Sequence, residues 1–193
     1  MSAEPRTDAG PLVVGIGGTM REGSTVEIAL RAGLRAVEAA GGRTRLFGAA
    51  DLDLPMYAPE AELGSHQGHE LVEAVRGCDG LLIGSPGYHG GTSGLVKNAL
   101  DYLEALREDQ RPYLDGRAVG LIVCAHGWQA TTTTLASLRS VVHALRGWPT
   151  PLGVTINSAE ASFADGKVVG ATVAANLEMV GRQVVDFARM THT

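Results

Sequence analysis

Cysteine is scarce. Cys78 and Cys124 are the only two in 193 residues, too few to staple a small secreted fold. They stand at the start of one apolar run and the end of another, positions that a parallel sheet places at opposite ends, so the expectation is two free thiols, buried or half-buried. Basic blocks are absent as well: 16 Lys plus Arg face 21 Asp plus Glu, a formal charge of −5. Without a basic patch the chain lacks the electrostatic footprint of a nucleic-acid or anionic-membrane binder. No apolar segment opens the chain either. Met1 to Pro11 is polar, unlike a signal peptide or a membrane span, and is expected to be a flexible tail (residues 1–11) before a single domain (residues 12–193). Reduced thiols and a polar start point to the cytoplasm. Charged residues make up only 19% and hydrophobic ones 45%, which excludes whole-chain disorder. What is plentiful is glycine, 26 residues.

Four nearly continuous apolar runs stand out: Leu12 to Ile16, Gly80 to Gly84, Ala118 to Cys124 and Leu152 to Ile156, with a weaker candidate at Arg43 to Phe47. Continuous rather than alternating apolarity predicts strands covered on both faces, as in parallel sheets. Helical spacing separates them. Val26, Leu30, Leu34 and Val37 share a face before the stop at Gly41-Gly42; Leu71 with Val75, then Val96 with Leu100 and Leu103, then Leu135, Leu138 and Val142, and finally Leu177, Val180 and Val184 repeat the pattern. Alternating strands and helices predict an α/β three-layer sandwich. Its flavodoxin-like five-stranded parallel sheet has order 2-1-3-4-5, with ligands outside the strand carboxyl ends where the winding reverses.

The glycines gather at those ends. After the first strand, Gly17 to Thr25 (GGTMREGST) leads into a helix, and its backbone donors suit a phosphate. A dinucleotide fingerprint starting at Gly15 fails at Met20, and a P-loop starting at Gly18 has Ser24 where Lys is required. Thr19, Arg21, Ser24 and Thr25 remain, hydroxyls and one guanidinium suited to a phosphate monoester held without metal. The plainer alternative is a helix start capped by Ser24 or Thr25. After the third strand, Ser85 is no elbow nucleophile, because Pro86 lacks the N–H that the oxyanion hole needs. Pro86, Gly87 and Tyr88 instead describe a flat-sided loop for a planar ring, unless Tyr88 packs beneath it, and Thr92 or Ser93 caps the next helix. The third loop, Ala125 to Thr134, is small and hydroxyl-rich, with Gly127 opening backbone donors; His126 and Trp128 are either ring contacts or surface and subunit-contact residues. His66 and His69 lack a third ligand for zinc or iron.

Taken together, Gly18-Thr19-Met20-Arg21 with Ser24, Ser85-Pro86-Gly87-Tyr88-His89, and Gly94-Leu95-Val96-Lys97-Asn98-Ala99-Leu100-Asp101 resemble the NADPH-dependent FMN reductase family of flavodoxin-like flavoproteins, from about Leu12 to Leu152. The resemblance implies that Thr19, Arg21 and Ser24, with Thr25 adjacent, hold the FMN phosphate, that Pro86, Gly87, Tyr88 and His89 lie beside the isoalloxazine, and that Gly127 borders its far side. Thr19 stands for the family's usual Ser, His89 for a common Asn, and Val26 for an Asn of several members, which alters the polar contacts to ring and phosphate. Leu54 to Tyr57 is similar to a family segment at the subunit contact, which implies a homodimer or homotetramer. The implied activity is hydride transfer from NADPH or NADH to flavin, which then serves a flavin-dependent monooxygenase. The alternatives are reduction of a quinone, azo, nitro or metal-oxyanion acceptor, an electron carrier without a nicotinamide site, and a phosphate-binding module without flavin.

Overall fold

Three of the four continuous apolar runs form strands buried on both faces, and the fourth, Leu152 to Ile156, belongs to a partly covered edge strand, in a computed structural model of the chain, which describes residues 10–59, 66–160 and 162–191. The strands are β1 (Leu12–Gly17), β2 (Arg43–Phe47), β3 (Gly80–Tyr88), the short β4 (Gly91–Thr92), β5 (Ala118–Ala125), β6 (Trp148–Asn157), and the two-residue β7 (Phe163–Ala164) and β8 (Lys167–Val168). The helices are α1 (Thr25–Ala39), α2 (His66–Arg76), α3 (Gly94–Asp101), α4 (Trp128–Ala144) and α5 (Ala171–Thr191), with a 3-10 turn at Tyr102–Leu106. Strands β2-β1-β3-β5-β6 lie side by side, all parallel, the 2-1-3-4-5 order that the sequence predicts. Successive residues of each central strand feed opposite layers. Val14, Ile16, Leu81, Ile83 and Val119 pack beneath α2, α3 and α4, while Val13, Leu82, Ile122 and Val154 pack beneath α1 and α5. The weaker run is the edge strand β2, which alternates between exposed and covered positions.

Several boundaries differ from expectation. Strand β3 continues past Gly84 to Tyr88, because Gly87 and Tyr88 pair with Thr92 and Gly91 across an antiparallel hairpin. The expected loop Ser85–Tyr88 is therefore strand. Helix α4 begins at Trp128, so the Thr131–Thr134 run is helical rather than loop. Its hydroxyls bond back one turn, Thr132 to the Trp128 carbonyl (2.9 Å) and Thr133 to the Gln129 carbonyl (3.0 Å), which satisfies them inside the helix. The β7–β8 hairpin has no counterpart in the periodicity reading. Of the expected tail, residues 1–9 lie outside the described residues, as does His192; Pro11 accepts a hydrogen bond from the Arg43 amide at 2.8 Å. Among the described residues no helix is long and apolar enough to cross a membrane.

At the amino end of the sheet, Arg117 is 1% exposed. Its guanidinium donates to the carbonyls of Arg76 (2.8 Å), Cys78 (3.1 Å) and Tyr113 (3.1 Å), joining the α2–β3 connection to the start of β5. Burial draws its pKa below the ordinary arginine value, so the carbonyl cage must repay the desolvation. Arg117→Met leaves those carbonyls without donors and is expected to lower the unfolding free energy by roughly 3 kcal/mol. A urea midpoint that moves by less than about 1 kcal/mol equivalent would show that other donors replace it.

Candidate functional site

The sheet's carboxyl end opens into a cleft of about 670 Å³ at the point where the winding reverses between β1 and β3. One wall is the loop between β1 and α1, contributing Thr19, Met20, Arg21, Ser24, Thr25 and Val26. Pro86, Gly87 and Tyr88 form another from the end of β3, and Leu95 adds the start of α3. Cys124, Ala125 and His126 follow from β5, and Ser158 from just past β6.

The first wall is bent by glycines. Gly17 has φ +151° and Gly18 φ +130°, and a Cβ on Gly17 would lie 2.0 Å from the Gly84 carbonyl oxygen. Only glycine lets β1 and β3 run this close before the chain turns away. Ser24 is the N-cap of α1, its hydroxyl accepting from the Glu27 amide at 3.3 Å, while Thr25 is the first helical residue. The Glu27 carboxylate accepts from the Gly23 amide at 3.0 Å, a variant of the reciprocal capping box. Ser24 is thus the cap of α1, and its loop also borders the cleft. The Thr25 and Val26 amides, at the first two helical positions, have no intrahelical acceptor and no other protein acceptor among the described residues. Thr19 is partly engaged in its own loop, its hydroxyl accepting from the Arg21 amide at 3.1 Å.

The second wall is held by Ser85. That side chain is fully buried, accepts from the Ser93 amide (3.1 Å) and donates to the Pro86 carbonyl (2.8 Å). It is a structural tie and not an exposed nucleophile. Gly87 is required by packing, since a Cβ there would meet Thr134 Oγ1 at 2.7 Å and Ala125 Cβ at 2.9 Å. Tyr88 is 56% exposed, so it does not pack beneath the loop. His89 (φ +51°) and Gly90 (φ +84°) are the corner of the hairpin, the positive-φ pair of a type I′ turn, where Asn is favoured and His tolerated. His89 does not border the cleft. Gly127 does not border it either; as N-cap of α4 with φ +104° it sends its amide to Asn157 Oδ1 at 2.8 Å and so places His126 on the rim. Trp128, half exposed, also stands outside the lining.

Among the described residues no carboxylate borders the cleft, and Arg21 brings a fixed positive charge. The cleft therefore suits an anion, with Arg21 and the Thr25 and Val26 amides in one wall and Pro86, Gly87 and Tyr88 in another. A flavin mononucleotide, phosphate at one end and planar ring at the other, fits this set in size and polarity. His126, Ser93, Gly94, Leu95 and Ser158 complete the lining. No motif marks Ser158 in the sequence: it reaches the crevice because β6 lies beside β5 and brings its own carboxyl end there. The described residues contain no His, Cys, Asp and Glu cluster suited to a metal ion; His66 and His69 face Glu70 and Glu73 along α2.

This architecture, a doubly wound parallel α/β sheet with a cleft at its switch point, is flavodoxin-like. Residues 11–161 match the family described as NADPH-dependent FMN reductase, and the chain belongs to that family. Its curated relatives include an FMN-dependent NADPH-azoreductase of Staphylococcus haemolyticus (strain JCSC1435), 33% identical over 96 residues, 50% of this chain and 47% of that protein. A protein of the same description from Staphylococcus aureus (strain USA300) is 33% identical over 91 residues, 47% of this chain and 45% of that protein. The chain thus spans about half the length of these curated relatives. Among solved structures, the flavoenzyme NAD(P)H:(acceptor) oxidoreductase FerB from Paracoccus denitrificans has a TM-score of 0.74 at 21% identity, covering 93% of this chain and 98% of that one. An apo NADH:FMN oxidoreductase (EMOB) has a TM-score of 0.68 at 23% identity, covering 93% and 89%. At these identities the two structures speak to fold alone.

Both cysteines are free and buried. Burial pushes the Cys124 thiol up to about 12, against an opposing hydrogen bond with Thr25, and Cys78 up to about 11, against the charge of Arg117. Neither thiol is expected to react with Ellman's reagent at pH 8 in the folded protein, and both should react in denaturant. Above about pH 9 the unfolded chain loses thiol protons that the fold retains. The unfolded state then binds fewer protons, so stability falls as pH rises from about 9 toward 11. Rapid native labelling at pH 8, or a urea midpoint that rises over this range, would contradict the burial of these groups.

Proposed function

We propose that this chain is an NAD(P)H-dependent FMN reductase, and that its cleft holds FMN through Thr19, Arg21, Ser24 and Thr25 at the phosphate and Pro86, Gly87 and Tyr88 at the ring. The observation that carries this reading is that one cleft brings together Arg21 and the start of α1 with Pro86, Gly87 and Tyr88 from the end of β3. When bound, FMN supplies the acceptor for a hydride from NADPH or NADH and passes the electrons on. The protein's share is positional. Arg21 and the Thr25 and Val26 amides anchor the phosphate, Ser24 and Ser85 stiffen the two walls through backbone bonds, and Gly87 keeps the floor flat. His89 and Gly127 act from behind the lining, by shaping the hairpin corner and the start of α4.

The electron acceptor is the finer question. The Staphylococcus relatives are described as azoreductases, which favours direct reduction of an azo or related acceptor beside the supply of reduced flavin to a monooxygenase. An acceptor screen with and without added FMN separates the two, since flavin supply requires turnover of free FMN. The same reading includes a cytoplasmic homodimer or homotetramer. It is supported by the 54–57 segment, which is clamped from inside while Met56 stands 83% exposed. Asn98 accepts from the Tyr57 amide (2.8 Å) and donates to the Pro55 carbonyl (3.0 Å), and the Tyr102 hydroxyl donates to that same carbonyl (2.9 Å). A surface methionine held this firmly suits a contact between copies.

The purified protein should bind FMN, and its flavin absorbance near the visible maximum should bleach on anaerobic addition of NADPH or NADH. Arg21→Ala is expected to weaken FMN about ten- to a hundredfold, the range of a charged hydrogen bond, and to leave riboflavin binding nearly unchanged. Absence of flavin binding in the parent protein, or a flavin that stays oxidised with both nicotinamides, would overturn the reading.

A further inference from the structure

The loop carrying Arg21 is backed by space rather than by packed side chains. Behind it lies a second cavity of about 450 Å³, bordered by Glu22, Gly23, Glu27, Leu46, Ala49 and Asp51. The loop therefore has a cleft in front and a cavity behind, and its shape depends on hydrogen bonds. Thr19 ties the front to the Arg21 amide. At the back Gly23 takes a left-handed φ of +65°, and its amide is held by Glu27 Oε2 at 3.0 Å.

Glu27 is only 7% exposed. A buried carboxylate so near an anion site is costly unless it is neutralised, and Arg31 does this from one turn along α1, with contacts of 2.9 and 2.8 Å to Oε1. The pair forms a brace with no net charge. Because the Ser24 hydroxyl occupies the Glu27 amide, the amides left for a phosphate are those of Thr25 and Val26, which immediately follow the braced turn.

We propose that Glu27 is a positioning residue that gives the cleft its preference for a phosphorylated flavin over the unphosphorylated one, by locking the Gly23 turn through its carboxylate. The proposal rests on the flavin reading above and deepens it. Glu27 touches neither ring nor phosphate; it sets the loop that does.

The test compares dissociation constants for FMN and riboflavin, measured by quenching of flavin fluorescence, with a melting curve for each variant. Glu27→Ala is expected to weaken FMN by about tenfold and riboflavin by less than about twofold. Glu27→Gln keeps an oxygen for the Gly23 amide and should stay within about threefold of the parent for both flavins. Gly23→Ala strains the same φ without touching the brace, since a Cβ there meets nothing within 4 Å, and should show the same FMN-specific loss even if Glu27→Ala does not fold. An unchanged FMN-to-riboflavin ratio in Glu27→Ala and Gly23→Ala, or a Glu27→Gln loss as large as that of Glu27→Ala, overturns the inference. A parent protein that binds riboflavin as tightly as FMN removes this inference and leaves a flavin site. A parent that binds neither removes the functional reading itself.

Discussion

At the carboxyl end of the sheet the β1 and β3 backbones come so close that a methyl group on Gly17 would overlap the Gly84 carbonyl. Parallel strands hydrogen-bond tightly to their end, and then the chain must leave in opposite directions, β1 toward α1 in one layer and β3 toward α3 in the other. The crevice is what remains between two departing chains. Glycine at the parting point lets the two backbones stay in contact until they diverge. The helix-start amides on one side and the hairpin on the other take their spacing from this approach.

The polar interior divides along the same axis. At the amino end Arg117 spends its donors on backbone carbonyls and closes the sheet. At the carboxyl end Ser24, Ser85 and Asn157 do the opposite work: their oxygens accept from the Glu27, Ser93 and Gly127 amides, which would otherwise be unpaired at helix starts and loops. Among the described residues the amides of Thr25 and Val26, and those of Gly94 and Leu95 across the cleft, have no protein acceptor, as first-turn amides of helices that border the cleft.

Much of this was legible in the residues themselves. Apolar runs buried on both faces announce a parallel sheet, and helical spacing between them announces the layers, because both patterns are local. Thr19 to Thr25 and Pro86 to Tyr88 were legible as cleft walls because glycines and hydroxyls at a strand end have few other uses. The misses are all tertiary. Nothing in the Thr131–Thr134 run distinguishes a hydroxyl-rich loop from a helix whose hydroxyls bond back to their own carbonyls. The resemblance implies His89 beside the ring, but its position answers to a turn that needs positive φ, and the hairpin pairing that creates the turn lies in the chain's return at Gly91 and Thr92. Ser158 reaches the cleft only because β6 lies beside β5, a fact of strand order and not of motif. Arg117 and Glu27 look like ordinary surface charges in sequence; burial makes one a staple and the other a brace.

The cleft takes its walls from residues 19–21 with 24–26, 86–88 with 93–95, 124–126, and 158, four stretches distant in sequence that meet at one end of the sheet. No fragment ending before the last of these completes it. During synthesis the binding surface is therefore finished only when β6 has emerged, well after the first βαβ segment could begin to form. Once finished, a ligand that touches all four stretches favours only the state in which they are together, and its binding energy is drawn on by the whole sheet. Occupancy and global stability then become a single quantity, tuned by the concentration of the ligand as much as by the packing of the core.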